Sequence, residues 1–174
     1  RIIMGINHAK QFTWEKTALN TLKIIRGYKT SKGSIIDSKK QRLAYVSPLP
    51  PQKTGIANFS RLLLPWLGKY FDIDVFVEDL FFKNTKKDIE GIQNIYTLNK
   101  LKEYSSRYDE IVYHIGNNSE FHTQIYETAW EMPGIVELHD FNIHPFLQHA
   151  YLLSGKKEIY KNALILGYGD EGIK

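Results

Sequence analysis

Five short apolar runs, spaced so that a helix fits between most neighbours, constrain this chain more than anything else in it. They are RLAYV (42–46), DIDVFV (72–77), NIYTL (94–98), EIVYHI (110–115) and GIVELHD (134–140). Their β-branched and aromatic residues read as strands, NIYTL being the weakest. Between the first two, IANFSRLLLPWLGKY (56–70) places Ile56, Phe59, Leu63, Trp66 and Leu67 on one helical stripe. Pro65 lies inside that stripe and is expected to kink or end the helix. A short helix is predicted from about Lys100 to Arg107, another over SEFHTQIYETAWEM (119–132), and a further one starting in HPFLQHAYLL (144–153). The β-α-β alternation predicts an α/β fold: a Rossmann-like, mostly parallel sheet with helices on both faces.

Upstream, TWEKTALNTLKIIRGY (13–28) predicts one more helix, with Thr13 as N-cap and Glu15 in the first turn, where the helix dipole favours a negative charge. Ala18, Leu22 and Ile25 recur at helical spacing, and Gly27 is the expected stop. One amphipathic helix cannot bury its face alone, so it must dock on something. The segment KTSKGSIIDSKKQ (29–41) has no sustained period and reads as a linker. The expected organisation is therefore a helical segment over 1–28, a linker over 29–41 and a Rossmann-like domain over 42–174.

The chain has 174 residues, enough to remove about 70% of its unfolded surface from water. Hydrophobic residues at 43% and charged residues at 24% argue against disorder. No run approaches the roughly 20 apolar residues of a membrane helix. Cysteine is absent, which excludes disulfides, thiolate zinc sites and cysteine nucleophiles, and fits a cytoplasmic protein. The net charge of +4 comes from scattered lysines, with small clusters at Lys29–Lys40, Lys83–Lys87 and Lys156–Lys161. Solvated faces explain these most simply, and contact with anionic headgroups or phosphates is the sharper alternative. No nucleic-acid-binding motif is present.

In parallel sheets, ligands bind beyond the carboxyl ends of the strands. Three strand exits carry polar groups: Lys53, Thr54 and Gly55 after the first, Gly116, Asn117 and Asn118 after the fourth, His139 and Asp140 after the fifth. Gly55 before a helix lets backbone N–H groups approach an anion, with Lys53 adding charge, or it is a tight turn with nothing bound. Asp140 either holds His139 or caps the next helix. Asn117 either bridges loops or binds ligand hydroxyls; Ser119 is a candidate N-cap, and His122 a packing or capping residue. The loop lacks the Walker and GxGxxG patterns, and no GxSxG elbow is present. His139, His144 and His149, spaced by five, fall on different helical faces and make a poor metal set, so no metal site is expected.

Taken in order, YVSPLPPQKTGIANFSRLLLPWLGKYFDIDVFVED and YHIGNNSEFHTQIYETAWEMPGIVELHDFNIH resemble the N-terminal half of a GT-B-fold glycosyltransferase of family 4, a retaining group. The resemblance covers roughly Arg42 to Leu153; Thr54 stands where serine is common and Asn58 where aspartate is common. FTWEKTALNTLKIIRGY looks like the end of a family 4 donor-binding domain, which implies modules in tandem with this chain at their junction.

The resemblance implies an acceptor-side domain that closes with a donor-binding domain of the same chain over a UDP- or GDP-linked sugar. It implies that Gly55, with Lys53 and Thr54, meets the donor diphosphate. His139, with Asp140 beside it, would contact the transferred sugar or acceptor, and Gly116, Asn117 and His122 would line the substrate edge. The family's donor-domain glutamate pair is absent; Glu103 and Glu110 have the wrong interval. No cofactor or metal is implied beyond the nucleotide-sugar substrate, and the acceptor is a saccharide or lipid-linked saccharide. Transfer by the isolated domain is not expected. Two further readings remain: a non-catalytic interaction domain of the same fold, and a flavodoxin-like small-ligand domain.

Overall fold

The structure, a computed structural model, describes residue 10 and residues 12–30 and 40–169. The expected linker lies mostly outside these residues. In chain order the elements are α1 (Trp14–Thr30), β1 (Gln41–Val46), α2 (Gly55–Leu67), β2 (Phe71–Val77), β3 (Asn94–Thr97), α3 (Leu101–Tyr104, with a 3-10 turn on each side) and β4 (Glu110–Ile115). They continue with α4 (Ser119–Glu131), β5 (Ile135–Leu138), α5 (His144–Leu147, running into a π-helical turn) and α6 (Lys157–Tyr168). The five strands form one sheet in the order β3-β2-β1-β4-β5, and every pairing is parallel.

Successive strand residues face opposite sides of a sheet, so a strand apolar at consecutive positions feeds two cores. Leu43 and Tyr45 of β1, Ile73, Val75 and Val77 of β2, and Val112 of β4 point one way. They meet Leu63, Leu64 and Leu67 of α2 and Ala18, Leu22 and Ile25 of α1. Ala44, Val46, Phe76, Tyr113 and Ile115 point the other way and meet Leu98, Leu101 and Ile125. Helices therefore cover both faces, as the alternation predicts. A third cluster, Phe146, Leu147, Ala150 and Tyr151, seats α5 and the π-turn against Tyr126. At the amino end of the sheet the buried Asp74 carboxylate accepts from Tyr108 Oη at 2.7 Å, Asn94 Nδ2 at 2.9 Å and Arg42 Nη2 at 3.3 Å. That network is fully used and sits away from the strand exits.

The helix α1 docks on this sheet. Thr13 caps it, its Oγ1 accepting from Lys16 N at 3.2 Å. The Trp14 ring stands edge-on to Phe59 of α2, with centroids 5.4 Å apart. Two expectations need correction. The helix passes Gly27 and ends at Thr30. Likewise α2 passes Pro65 and ends at Leu67, with Gly68 N–H returning to the Leu64 carbonyl at 2.9 Å. Proline so near a helix end deletes one backbone bond and leaves the rest intact. The last helix, α6, lies beyond the sequence reading. Among the described residues no helix is long and apolar enough to cross a membrane.

Docking of α1 makes a direct prediction. Ile25 is 1% exposed in the core and its neighbour Ile24 is 66% exposed. Ile25→Ala should cost about 2–4 kcal/mol in urea unfolding, and Ile24→Ala less than about 0.5 kcal/mol. Equal effects of the two would mean that α1 does not pack here.

Candidate functional site

The chain steps from β1 through β2 to β3 on one side, then crosses to β4 and β5 on the other. The loops leaving β1 and β4 thus part at a switch point, where α/β sheets open a crevice.

The loop after β1 is pinned at both ends. Ser47 Oγ and Ser60 Oγ, both fully buried, lie 2.7 Å apart, and Tyr45 Oη donates to Ser60 Oγ at 3.0 Å. Gln52 Oε1 accepts from Leu49 N at 2.6 Å, and the Pro50 carbonyl accepts from Lys86 N at 2.9 Å. Thr54 caps α2 by accepting from Ala57 N at 3.1 Å. Gly55 opens the helix, exposed, with no positive φ. A Cβ placed there would meet nothing within 4 Å. Neither its backbone nor its packing in this domain calls for glycine. Lys53 is exposed beside it.

Gly116 is the opposite case. A Cβ there would overlap Ile56 Cδ1 and press on Asp140 Oδ2 at 3.2 Å and His122 Nε2 at 3.3 Å. The first turn of α2, the first turn of α4 and the loop after β5 converge on this one missing side chain in the loop after β4. Asn117 ties two of them together. Its N–H donates to Asp140 Oδ2 at 2.7 Å, its Nδ2 to the Asn142 carbonyl, and its Oδ1 accepts from Phe146 N at 3.3 Å. Asn117 therefore bridges loops.

Asp140 neither holds His139 by a hydrogen bond nor caps α5. The N-cap position of α5 is Ile143, which has no capping side chain; Asn142, one residue before it, accepts from His144 N at 2.9 Å. Asn118, not Ser119, caps α4, accepting from Glu120 N at 2.9 Å.

Register builds a second feature. His114 on β4 pairs with Glu137 on β5, and His139 N–H continues the ladder by donating to the Ile115 carbonyl at 2.9 Å. All three side chains lie toward the α2 side of the sheet. His114 Nδ1 stands 2.9 Å from His139 Nε2. Glu137 oxygens lie 3.8 Å from the first nitrogen and 3.9 Å from the second. Tyr45 packs against the His114 ring at 4.3 Å, and Phe59 stands edge-on to His139 at 4.8 Å. His122 is buried beneath Gly116 instead of lining the edge. His144 and His149 are not part of this group; His144 Nε2 lies 3.4 Å from Tyr160 Oη.

Burial lowers the pKa of all three site histidines. His114 falls well below its ordinary value, His139 falls against a partial lift from Asp140, and His122 drops to about 4. All three are neutral at pH 7, and each ring then carries one N–H and one lone pair. Burial pushes Glu137 upward.

Sequence reasoning missed two groups. One is Glu137, hidden within a strand-like run. The other is the exit of β2, which the rule applied to the other strands also indicates. There the buried Glu78 accepts from Gln124 N at 2.9 Å and Ile125 N at 3.2 Å, while Asp79 N donates to Gln124 Oε1 at 2.9 Å. Burial pushes the Glu78 carboxyl up to about 7 against these hydrogen bonds.

No family model, curated protein or solved structure matches the chain. The functional reading rests on its residues and their geometry.

The site's titrations have opposite signs. Glu78 keeps its proton in the fold up to about pH 7 but loses it near 4.5 when unfolded. Its contribution is full below 4.5 and lost as pH rises through 7. The histidines bind protons more weakly in the fold, so their contribution is present above 6.5 and lost on acidification, for His122 down to about pH 4. Glu78→Gln keeps the acceptor and removes the proton. Between pH 7.5 and 4.5 this variant should lose more stability than wild type, by on the order of 2–3 kcal/mol. Parallel denaturation curves across that range would refute the assignment.

Proposed function

We propose that this is the acceptor-side domain of a retaining glycosyltransferase of the GT-B type, family 4. In this reading it moves a sugar from a UDP- or GDP-linked donor to a saccharide or lipid-linked acceptor. The observation that carries the reading is the meeting of three motif loops at the sheet's switch point, with Gly116 as their contact.

Each part then has a physical task. Gly55 leaves the first N–H groups of α2 bare, and the helix dipole makes that end attractive to a diphosphate. Thr54 fixes the turn by its cap, and Lys53 adds a mobile positive charge. Asn117 and Asp140 hold the β4 and β5 loops in one geometry, so that His139 is presented at the edge. Asp140 is thus a positioning residue, and His122 supports the edge from below. A neutral His139 can hydrogen-bond a sugar hydroxyl without adding charge. A donor-binding domain of the same chain would supply the rest of the nucleotide-sugar site. In this reading the protein works in the cytoplasm, touching the inner membrane face through exposed Lys83, Lys86 and Lys87, and binds no nucleic acid.

A non-catalytic interaction domain of the same fold is the competing reading, and Gly55 separates the two. The first carbon of a side chain at 55 meets nothing within 4 Å in this domain, so an effect on turnover without an effect on folding points to an outside body. In the protein that carries this domain together with its donor-binding domain, nucleotide release from UDP- and GDP-sugars is the assay. Gly55→Val and His139→Ala should each lower turnover by about 100-fold while thermal unfolding of Gly55→Val is unchanged. Full transfer by both variants would leave the interaction reading standing.

A further inference from the structure

We propose that His114, Glu137 and His139 form a binding site for one divalent cation of the zinc class. Two imidazole nitrogens and one carboxylate oxygen would hold it, with a further coordination position open to solvent. The inference stands on the cluster's own geometry and shares only His139 with the proposed function.

The donor atoms of the three side chains all lie within 4.8 Å of one another. A hydrogen bond between two neutral rings accounts for the 2.9 Å between His114 Nδ1 and His139 Nε2. It does not account for Glu137. Its carboxylate stands 3.8 and 3.9 Å from the same two nitrogens, too far for a hydrogen bond, and it accepts none from any described residue. Three potential ligand atoms therefore gather in one place, and the ring that carries the shared proton can ligate once that proton leaves the shared nitrogen. Each ring nitrogen faces a different oxygen of the one carboxylate, and one of those oxygens lies within 4.8 Å of both nitrogens.

The chemistry of the set agrees. Two imidazoles and a carboxylate suit zinc and its first-row neighbours, and three protein ligands with an open position are the pattern of reactive zinc sites. Magnesium and calcium prefer oxygen throughout.

The scaffold is rigid where a site needs it. His114 and Glu137 are register partners on adjacent strands, and the His139 backbone is held on the Ile115 carbonyl. Tyr45 and Phe59 back the two rings. The side chains of Glu137 and His139 are 34% and 17% exposed, which leaves an entry route to the buried His114.

Protein made without a polyhistidine tag and stripped with a chelator is the starting material. Titration with Co²⁺ should give ligand-field absorption bands of a four- or five-coordinate ion that saturate at one equivalent and disappear on adding Zn²⁺. Glu137→Gln and His139→Ala should each weaken Zn²⁺ binding by more than the roughly 10–100-fold that losing an outer partner costs. Both positions are partly exposed, and circular dichroism checks that the variants fold. His144→Ala, outside the cluster, should bind as wild type does. Absent bands, or bands unchanged in Glu137→Gln and His139→Ala, would overturn the site and leave a hydrogen bond between two rings.

Discussion

Everything in this domain hangs on β1 being paired along both edges and covered on both faces. Its neighbours β2 and β4 match it residue for residue, with Tyr45 opposite Val75 on one side and Val112 on the other. A strand so enclosed has no solvent to satisfy its backbone, so the parallel ladder must be complete. It must also be apolar at consecutive positions, which Leu43, Ala44, Tyr45 and Val46 supply. The enclosure fixes the exit of β1 beside the exit of β4. Because the chain turns one way from β1 and the other way from β4, the two loops part there. The place where a ligand can enter is a consequence of how β1 is buried.

The same burial governs the electrostatics. A histidine ring beside a sheet's carboxyl end would ordinarily titrate near neutrality. Here Tyr45 and Phe59 close over two such rings, and desolvation disfavours the charged form more than Asp140 can restore it. The site therefore offers lone pairs and N–H groups, not positive charge. Among the chain's own groups, positive potential at this edge comes from the amino end of α2 and from Lys53. Glu78 shows the converse, because two backbone N–H groups on its carboxylate do not outweigh the cost of burying a charge.

The sequence made the fold readable where period and punctuation agreed. Five strand-like runs and the helices between them are all present, because an apolar strand and an amphipathic helix are each written in consecutive residues. Boundaries were less legible. Gly27 and Pro65 carry local stop signals, but each lies within three residues of its helix's end, where one weak position costs little. In the candidate site, the three loops were legible from the strand-exit rule. Their mutual contacts were not, because Asn117 reaches Asp140 and Asn142 across 23 and 25 residues. Asp140 and Ser119 looked like caps because capping is judged by residue type near a helix start. Asn118 caps α4 instead, and the start of α5 has no capping side chain, only Asn142 accepting from His144 N. Glu137 was invisible for a different reason: its partners come from strand register, which a single sequence does not state.

A chain of ring contacts joins the first helix to this edge. Trp14 of α1 meets Phe59, and Phe59 meets both His139 and His114. Phe59 sits one turn into α2, whose first residue is Gly55. The helix that begins with the open glycine is thus the helix that α1 braces. Through α2, Trp14 of α1 backs the aromatic side chain that stands edge-on to His139. Docking of α1 and the geometry of the site then share one residue. Phe59 is thus the contact through which packing at Trp14 and the imidazole meet.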